Sequence, residues 1–480
     1  MKDEMKVRLA ALLSADDPAV RRRAAEGLAE STGFAPIAAL AAALRDENKG
    51  VRDAALRSMS QIGSDNVARA AVEYIADENI TTRNLAAELL MKLKDHSVDA
   101  LVPYLYDADQ DVRKFAVDIL GLIGNEDAIN HIIILLDDQD ENVVVSAAEA
   151  LGNIRAKQAI PQLTHVFELH QYAQVPVAEA LGKIGDQAAA DFLLKHFSAM
   201  VANREADPLL LYAVIESLGL IGYDKAIPML ESNIQSVAGR LRYVLLHAII
   251  RIAERCNHSL DSLKNYQSDL IDALHNDDTA VQISAVKVLS GIKGYEITAA
   301  LLEVVAASEE LDAVLIPALE LRDDTFRAIV ELLEQDKIKP TKEVVALLGR
   351  VSSRIDYQRI PKELLDEASN YLQRAVELVK HSWTDASEET RAAIVDTLSR
   401  LDGDHAVEFL AAITDDPDPW LRIHIIELLA PLEDRRIPDF IARFLNDDDQ
   451  MVREVAASTL ESKGYSQRIE SSALGTAEIN

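Results

Sequence analysis

The sequence predicts an all-α array of repeated helix pairs, and three observations carry that prediction. A step onto arginine recurs at Val20-Arg21, Val51-Arg52, Thr82-Arg83, Val112-Arg113, Leu421-Arg422 and Val452-Arg453. The first four arginines are spaced 31, 31 and 30 residues apart, and the last two 31 apart. A fixed period in this range marks a repeat array rather than a globular core. Each step follows an acidic turn, such as Asp46-Glu47-Asn48, Asp107-Ala108-Asp109 or Asp447-Asp448-Asp449. Hydrophobic residues make up 49% of the chain and aromatic residues only 5%, so small aliphatic side chains carry the core, as close-packed helices require.

One unit, Asp137 to Leu163, shows how each element follows. Asp137 to Glu141 reads as a turn whose acids can cap a helix. Val143, Ala147, Ala148, Leu151 and Ile154 share one face at helical spacing, which predicts a helix over 143–154. The Ala147-Ala148 pair permits close helix approach. A turn follows near Arg155, and Pro161 in Ala159-Ile160-Pro161 opens the next helix, where a missing N–H is harmless. Leu-Gly steps at Leu120-Gly121, Leu151-Gly152, Leu181-Gly182 and Leu218-Gly219 repeat the unit. Gly124, Gly185 and Gly222 sit where glycine ends helices. In the stretch 256–390 the pattern drifts. Asp277-Asp278 keeps the turn, but Gln282 replaces the arginine, and Lys362 to Trp383 reads as one longer helix. After Gly464 the chain is polar, and a disordered tail is expected.

These residues resemble the HEAT repeat, in the short bacterial type named after phycobilisome lyases, whose pattern runs roughly D-x-x-V-R-x-x-A-A-x-A-L-G-x-I-G-D. The resemblance divides the chain into a regular array (1–255), divergent helical repeats (256–390), C-terminal repeats (391–463) and a tail (464–480). It implies a right-handed α-solenoid of antiparallel helix pairs, with the second helix of each pair on the concave side.

The chain of 480 residues carries a formal net charge of −31, from 80 acidic and 49 basic side chains. That balance argues against nucleic acid, whose phosphates need Lys and Arg, and against anionic membranes. It suits a basic or apolar protein partner, or simply keeps a long array soluble. Cys256 is the only cysteine, so no internal disulfide forms. No signal peptide and no run of about 20 apolar residues is evident, so a cytoplasmic location is expected.

Two columns of polar residues are candidate sites. Arg21, Arg52, Arg83, Arg113, Arg422 and Arg453 read as a structural ladder onto turn carboxylates or helix-end carbonyls; a row of anion-binding arginines is the other reading. Glu88, Asp118, Glu149, Glu179 and Glu216 stand two residues before a core leucine, about 200° around the helix. They therefore face away from the core, and with Asn153 and Lys183 one turn on they form a concave stripe. That stripe is a partner-binding groove or a solvated helix face. His165, Glu168 and His170 are the best-grouped metal-ligand types, but a metal needs three or four converging ligands, and no H-E-x-x-H or C-x-x-C occurs. Trp420 reads as a local packing residue.

No nucleophile elbow, phosphate-binding glycine loop or dinucleotide fingerprint is present. No catalytic residue, metal or cofactor is therefore assigned. The leading expectation is a non-enzymatic scaffold that holds a protein partner on its concave face, in bacterial signalling or complex assembly. The alternative comes from the resemblance alone. Some proteins with this repeat attach or remove bilin chromophores on antenna proteins, which implies a bilin lyase or a lyase-like chaperone. A DNA glycosylase on a similar scaffold would need a basic groove, which this charge balance does not suggest.

Overall fold

A computed structural model describes residues 2–203, 207–237, 239–354, 362–401, 403–432 and 434–465. Every regular element among them is an α-helix or a short 3-10 helix. The fold is the all-α solenoid that the repeats predict. Most of the anticipated tail, from residue 466 on, lies outside the described residues. The chain divides into two compact units, Met1–Ser259 and Leu260–Asn480.

In the first unit the second helices of successive pairs are Pro18–Glu26, Lys49–Ile62, Ile80–Leu93, Gln110–Ile123, Glu141–Ile154, Gln174–Ile184, Pro208–Ile221 and Arg240–Cys256. They stack side by side as one layer, called inner below, and the first helices of the pairs flank it. Small residues set the spacing. A Cβ placed on Gly121 would lie 2.6 Å from the Ala150 Cβ, and one on Gly152 would lie 2.7 Å from the Ala180 Cα. No side chain fits there, so these helices run nearly backbone to backbone. Leu90, Leu120, Leu151, Leu181 and Leu218 are fully buried behind them. In the Glu141–Ile154 helix, Val143, Ala147, Ala148, Leu151 and Ile154 are all buried, as their spacing predicts.

The acidic turns start the inner helices through two linked Asx bonds. Asp138 accepts from the Asp140 N–H at 2.9 Å, and Asp140 accepts from the N–H groups of Asn142 and Val143 at 2.9 and 3.2 Å. The relay repeats at Asp46/Asn48, Asp77/Asn79, Asp107/Asp109, Asp416/Asp418 and Asp447/Asp449. Each cap satisfies helix N–H groups that have no partner within the helix, at about 1 kcal/mol apiece.

The first Asp of a relay also receives an arginine from the preceding repeat. Arg113 forks onto Asp138 at 2.7 and 2.8 Å and donates to the carbonyls of Asp107 and Ala108 in its own turn. Arg21 does the same to Asp46, and Arg422 to Asp447. Planar two-point pairing of this kind is specific to arginine. Burial pushes the Asp138 carboxyl up, but the Arg113 guanidinium and the Asp140 N–H outweigh it and hold the group below its usual range.

Elsewhere the ladder has half-rungs. Arg52, Arg83 and Arg453 donate to their own turn carbonyls. Asp77, 25 residues after Arg52, is taken by Arg45, and the matching position after Arg83 is Ala108. Arg391, 31 residues before Arg422, reaches Asp416 at 3.3 Å. It is a rung not anticipated from the sequence, although Thr390-Arg391 has the same form as Thr82-Arg83.

The second unit keeps the pairs but changes the ties. Asp278 still caps its helix, whereas Gln282 donates to the Leu274 carbonyl. Arg322 instead links neighbouring repeats by donating to Thr298 Oγ1 at 2.7 Å and to the Ile292 carbonyl at 2.8 Å. The long helix Lys362–His381 is fastened to helix Thr325–Glu334 by Tyr371 on Glu331 at 2.5 Å and by Arg374 on Glu334 at 2.7 Å.

Candidate functional site

The five acids of the anticipated stripe stand on five consecutive inner helices. Glu149 and Glu179 are exposed, and Glu88, Asp118 and Glu216 are half-buried. Several have a cation beside them. Glu88 pairs with Lys92 at 2.6 Å, Asp118 with Lys114 at 2.8 Å, and Glu216 lies 3.9 Å from Arg251. The stripe is thus a mixed surface, not a single line of negative charge.

One turn toward the helix ends the sign changes. Lys183 Nζ donates to Asn153 Oδ1 at 3.0 Å, across neighbouring helices. Both residues line a cleft of about 590 Å³ together with Gly152, Arg155, Gly182, Ile184, Gly185, Leu220, Ile221, Arg251 and Arg255. Four basic side chains face this space, and among the described residues its lining contains no carboxylate, aromatic ring, hydroxyl, thiol or imidazole. In a chain with 31 excess negative charges, such a concentration of one sign is local and built.

The cleft is made by the C-terminal ends of inner helices. Helices Glu141–Ile154, Gln174–Ile184 and Pro208–Ile221 finish here, and helix Arg240–Cys256 supplies the last two arginines. Cations complement the negative end of a helix, and Arg255 is accounted for that way. It donates to the carbonyls of Leu220 and Ile221 at 2.6 and 3.3 Å. Arg155 is different. It holds a left-handed backbone, with φ of +59°, at the position where neighbouring repeats place Gly124, Gly185 and Gly222. A non-glycine residue there costs roughly 1–2 kcal/mol. Such strain persists only where its surroundings enforce it.

Sequence reasoning reached Asn153 and Lys183 but missed Arg155, Arg251 and Arg255. Arg155 had a readable signal, since it stands where Gly63, Gly124, Gly185 and Gly222 end their helices, although Lys94 does the same after helix Ile80–Leu93. Arg251 and Arg255 had none, because their helix has Ile249-Ile250 where its neighbours have Leu-Gly. Chemically, the cleft can hold anions, carboxylates above all. Among the described residues its lining has no carboxylate, imidazole or thiol to hold a divalent cation, and Lys183 is its one side chain of a type that serves as a general acid or base.

The other candidates are separate from it. Glu168 faces Lys195 at 4.0 Å, and His170 packs on Tyr172. Among the described residues no group of three or more His, Cys, Asp or Glu could hold a metal. His424 lies between Asp396 at 2.8 Å and Glu427 at 3.7 Å, and the Asp396 carboxylate raises its pKa. Trp420 corrects an expectation. It is 68% exposed, because the second residue of helix Pro419–Leu429 points away from the stack. No helix among the described residues is long and apolar enough to cross a membrane.

Comparison with known proteins bears on this geometry. A family model for HEAT repeats matches residues 5–93 and 98–175, and a model for the PBS lyase HEAT-like repeat matches 177–198. Phycocyanobilin lyase subunit alpha of Picosynechococcus sp. is 28% identical over 224 residues, which cover 46% of this chain and 66% of that protein. The chain thus spans just under two thirds of that relative. Phycocyanobilin lyase subunit alpha of Microchaete diplosiphon is 25% identical over 218 residues, covering 42% and 72%. The solved structure of Kap121p bound to RanGTP aligns with a TM-score of 0.54 at 12% identity, covering 96% of this chain and 56% of that one. At that identity the likeness is one of fold.

The lyase relatives overturn the expectation of a non-enzymatic protein. That expectation rested on missing catalytic motifs, and a motif is a local spacing. A site assembled from one or two residues on each of several repeats leaves no such spacing to find. The repeat pattern, the helical stack and the family matches agree that the stretch 5–198 carries HEAT repeats, the last of them of the PBS lyase HEAT-like type.

Proposed function

We propose that the chain acts as a subunit of phycocyanobilin lyase type, which holds a bilin and works with a second protein. The observation that supports this reading is the match to two curated proteins, both named phycocyanobilin lyase subunit alpha, over more than 200 residues. The cleft at the inner helix ends agrees with it, since a bilin is an anionic molecule and the cleft is lined by four bases. With four basic side chains and no carboxylate or imidazole among the described residues of its lining, the cleft's main share of the work is to bind and orient.

The test is direct. Purified chain is mixed with phycocyanobilin, and the visible spectrum and gel-filtration profile are followed. A changed spectrum and co-elution of pigment with the 480-residue chain are expected. Pigment that elutes apart, with the spectrum of free bilin, would sink the reading and return the protein to a plain scaffold.

A further inference from the structure

We propose that the cleft recognises its ligand through two carboxylates, so that the propionate side chains of a linear tetrapyrrole, rather than its rings, fix it on this chain. This rests on the bilin-holding reading above. Three features of the cleft support it.

First, among the described residues the lining contains no aromatic side chain. Rings cannot be held by stacking there, and only Ile184, Leu220 and Ile221 offer aliphatic surface. What remains for recognition is charge. Second, Arg255 is committed to helix-end carbonyls, which places it as a fixed wall. Lys183 has the neutral Asn153 amide as its partner, and Arg251 stays half-buried, at 3.9 Å from Glu216. Neither contact is a close carboxylate pairing, unlike the forked pairs that Arg21 and Arg113 make on the ladder. These cations can turn to a ligand without breaking a tight ion pair. Third, Arg155 takes the positive φ of a helix end, as Lys94 and Asn257 do on other inner helices, and there it adds a cation to the cleft that the glycine of its neighbours would not. Arg155, Lys183 and Arg251 come from three different inner helices or their ends, so they suit a ligand with separated acidic groups better than a single small anion.

The experiment compares phycocyanobilin with its dimethyl ester, which keeps the rings and removes both charges. Binding to the full-length chain is followed by absorbance. The free acid should bind at least about tenfold more tightly, as expected for losing charge-assisted hydrogen bonds. That preference should shrink as salt is raised. The double variant Lys183→Met/Arg251→Met should lose the preference while binding the ester as before. Arg155→Gly should melt at the same temperature or higher, yet bind the acid more weakly. Equal binding of acid and ester to the wild-type chain overturns the inference and leaves the bilin reading intact, and this arm needs no variant to fold. Unchanged acid binding in a folded double variant, checked by circular dichroism, also overturns it. If neither form binds, both readings fall.

Discussion

Single residues divide here into those the repeat requires and those it tolerates. Leu151 is fully buried in a stack whose neighbouring helices nearly touch, so its surroundings cannot collapse into the space it leaves. Leu151→Ala should cost about 2–5 kcal/mol, read as a lower denaturation midpoint. Glu149, two residues away on the same helix, is exposed. Glu149→Ala should change stability by less than about 0.5 kcal/mol. A large loss at Glu149 would mean that the assignment of helix faces is reversed. Arg155 belongs to neither class. It replaces the helix-end glycine of its neighbours, as Lys94 does two repeats earlier, and unlike Lys94 it lines the cleft.

At the scale of elements, two kinds of tie join the helices. In the first unit a carboxylate is fixed by an arginine from the neighbouring repeat, as in Arg113 on Asp138. In the second, the fastening of helix Lys362–His381 depends on Glu331, which accepts from Tyr371 and pairs with Arg327 at 2.8 Å. The Tyr371 hydroxyl, with Arg327 and Tyr295, draws the Glu331 carboxyl down to about 2 against the opposing effect of burial. Because its folded pKa lies below the unfolded value, the stability it adds is present above the ordinary carboxylate range. It is lost as pH falls through the folded value near 2. Acid unfolding should therefore weaken this joint progressively below the usual carboxylate pKa. Glu331→Gln should be less stable at neutral pH by on the order of 1 kcal/mol after solvent screening, and should lose less between neutral pH and strong acid. Identical acid profiles for wild type and variant would show that Glu331 contributes no such linkage.

For the whole molecule, nearest-neighbour packing decides how stability is distributed. Between residues 110 and 220 the inner helices pack backbone to backbone. Between 256 and 354 the arginine–aspartate rung is replaced by Gln282 on a carbonyl and by the Arg322 hub. Local opening should be easier in the second stretch. Hydrogen exchange should show amides in 260–350 exchanging faster than those in 110–220. Equal protection across both would mean that the altered ties hold as well as the ladder.

The period of the arginines and the acidic turns, with the Leu-Gly steps, determined the all-helical repeat fold from the sequence alone. They could do so because each repeat packs only on its neighbours, which makes the fold a local pattern written many times over. The same locality made the buried leucine column and the outward-facing acids legible, since both follow from helical spacing. The cleft was not legible. Its bases come from positions 155, 183, 251 and 255, and residues so far apart converge only when successive helix ends are stacked. Lys92 and Lys114 stand four residues from Glu88 and Asp118, so spacing alone places them beside those acids, whereas Arg251 beside Glu216 comes from the next helix and was not legible. The sequence determined which residues face outward; the register between helices decided which of them meet, and with what sign of charge.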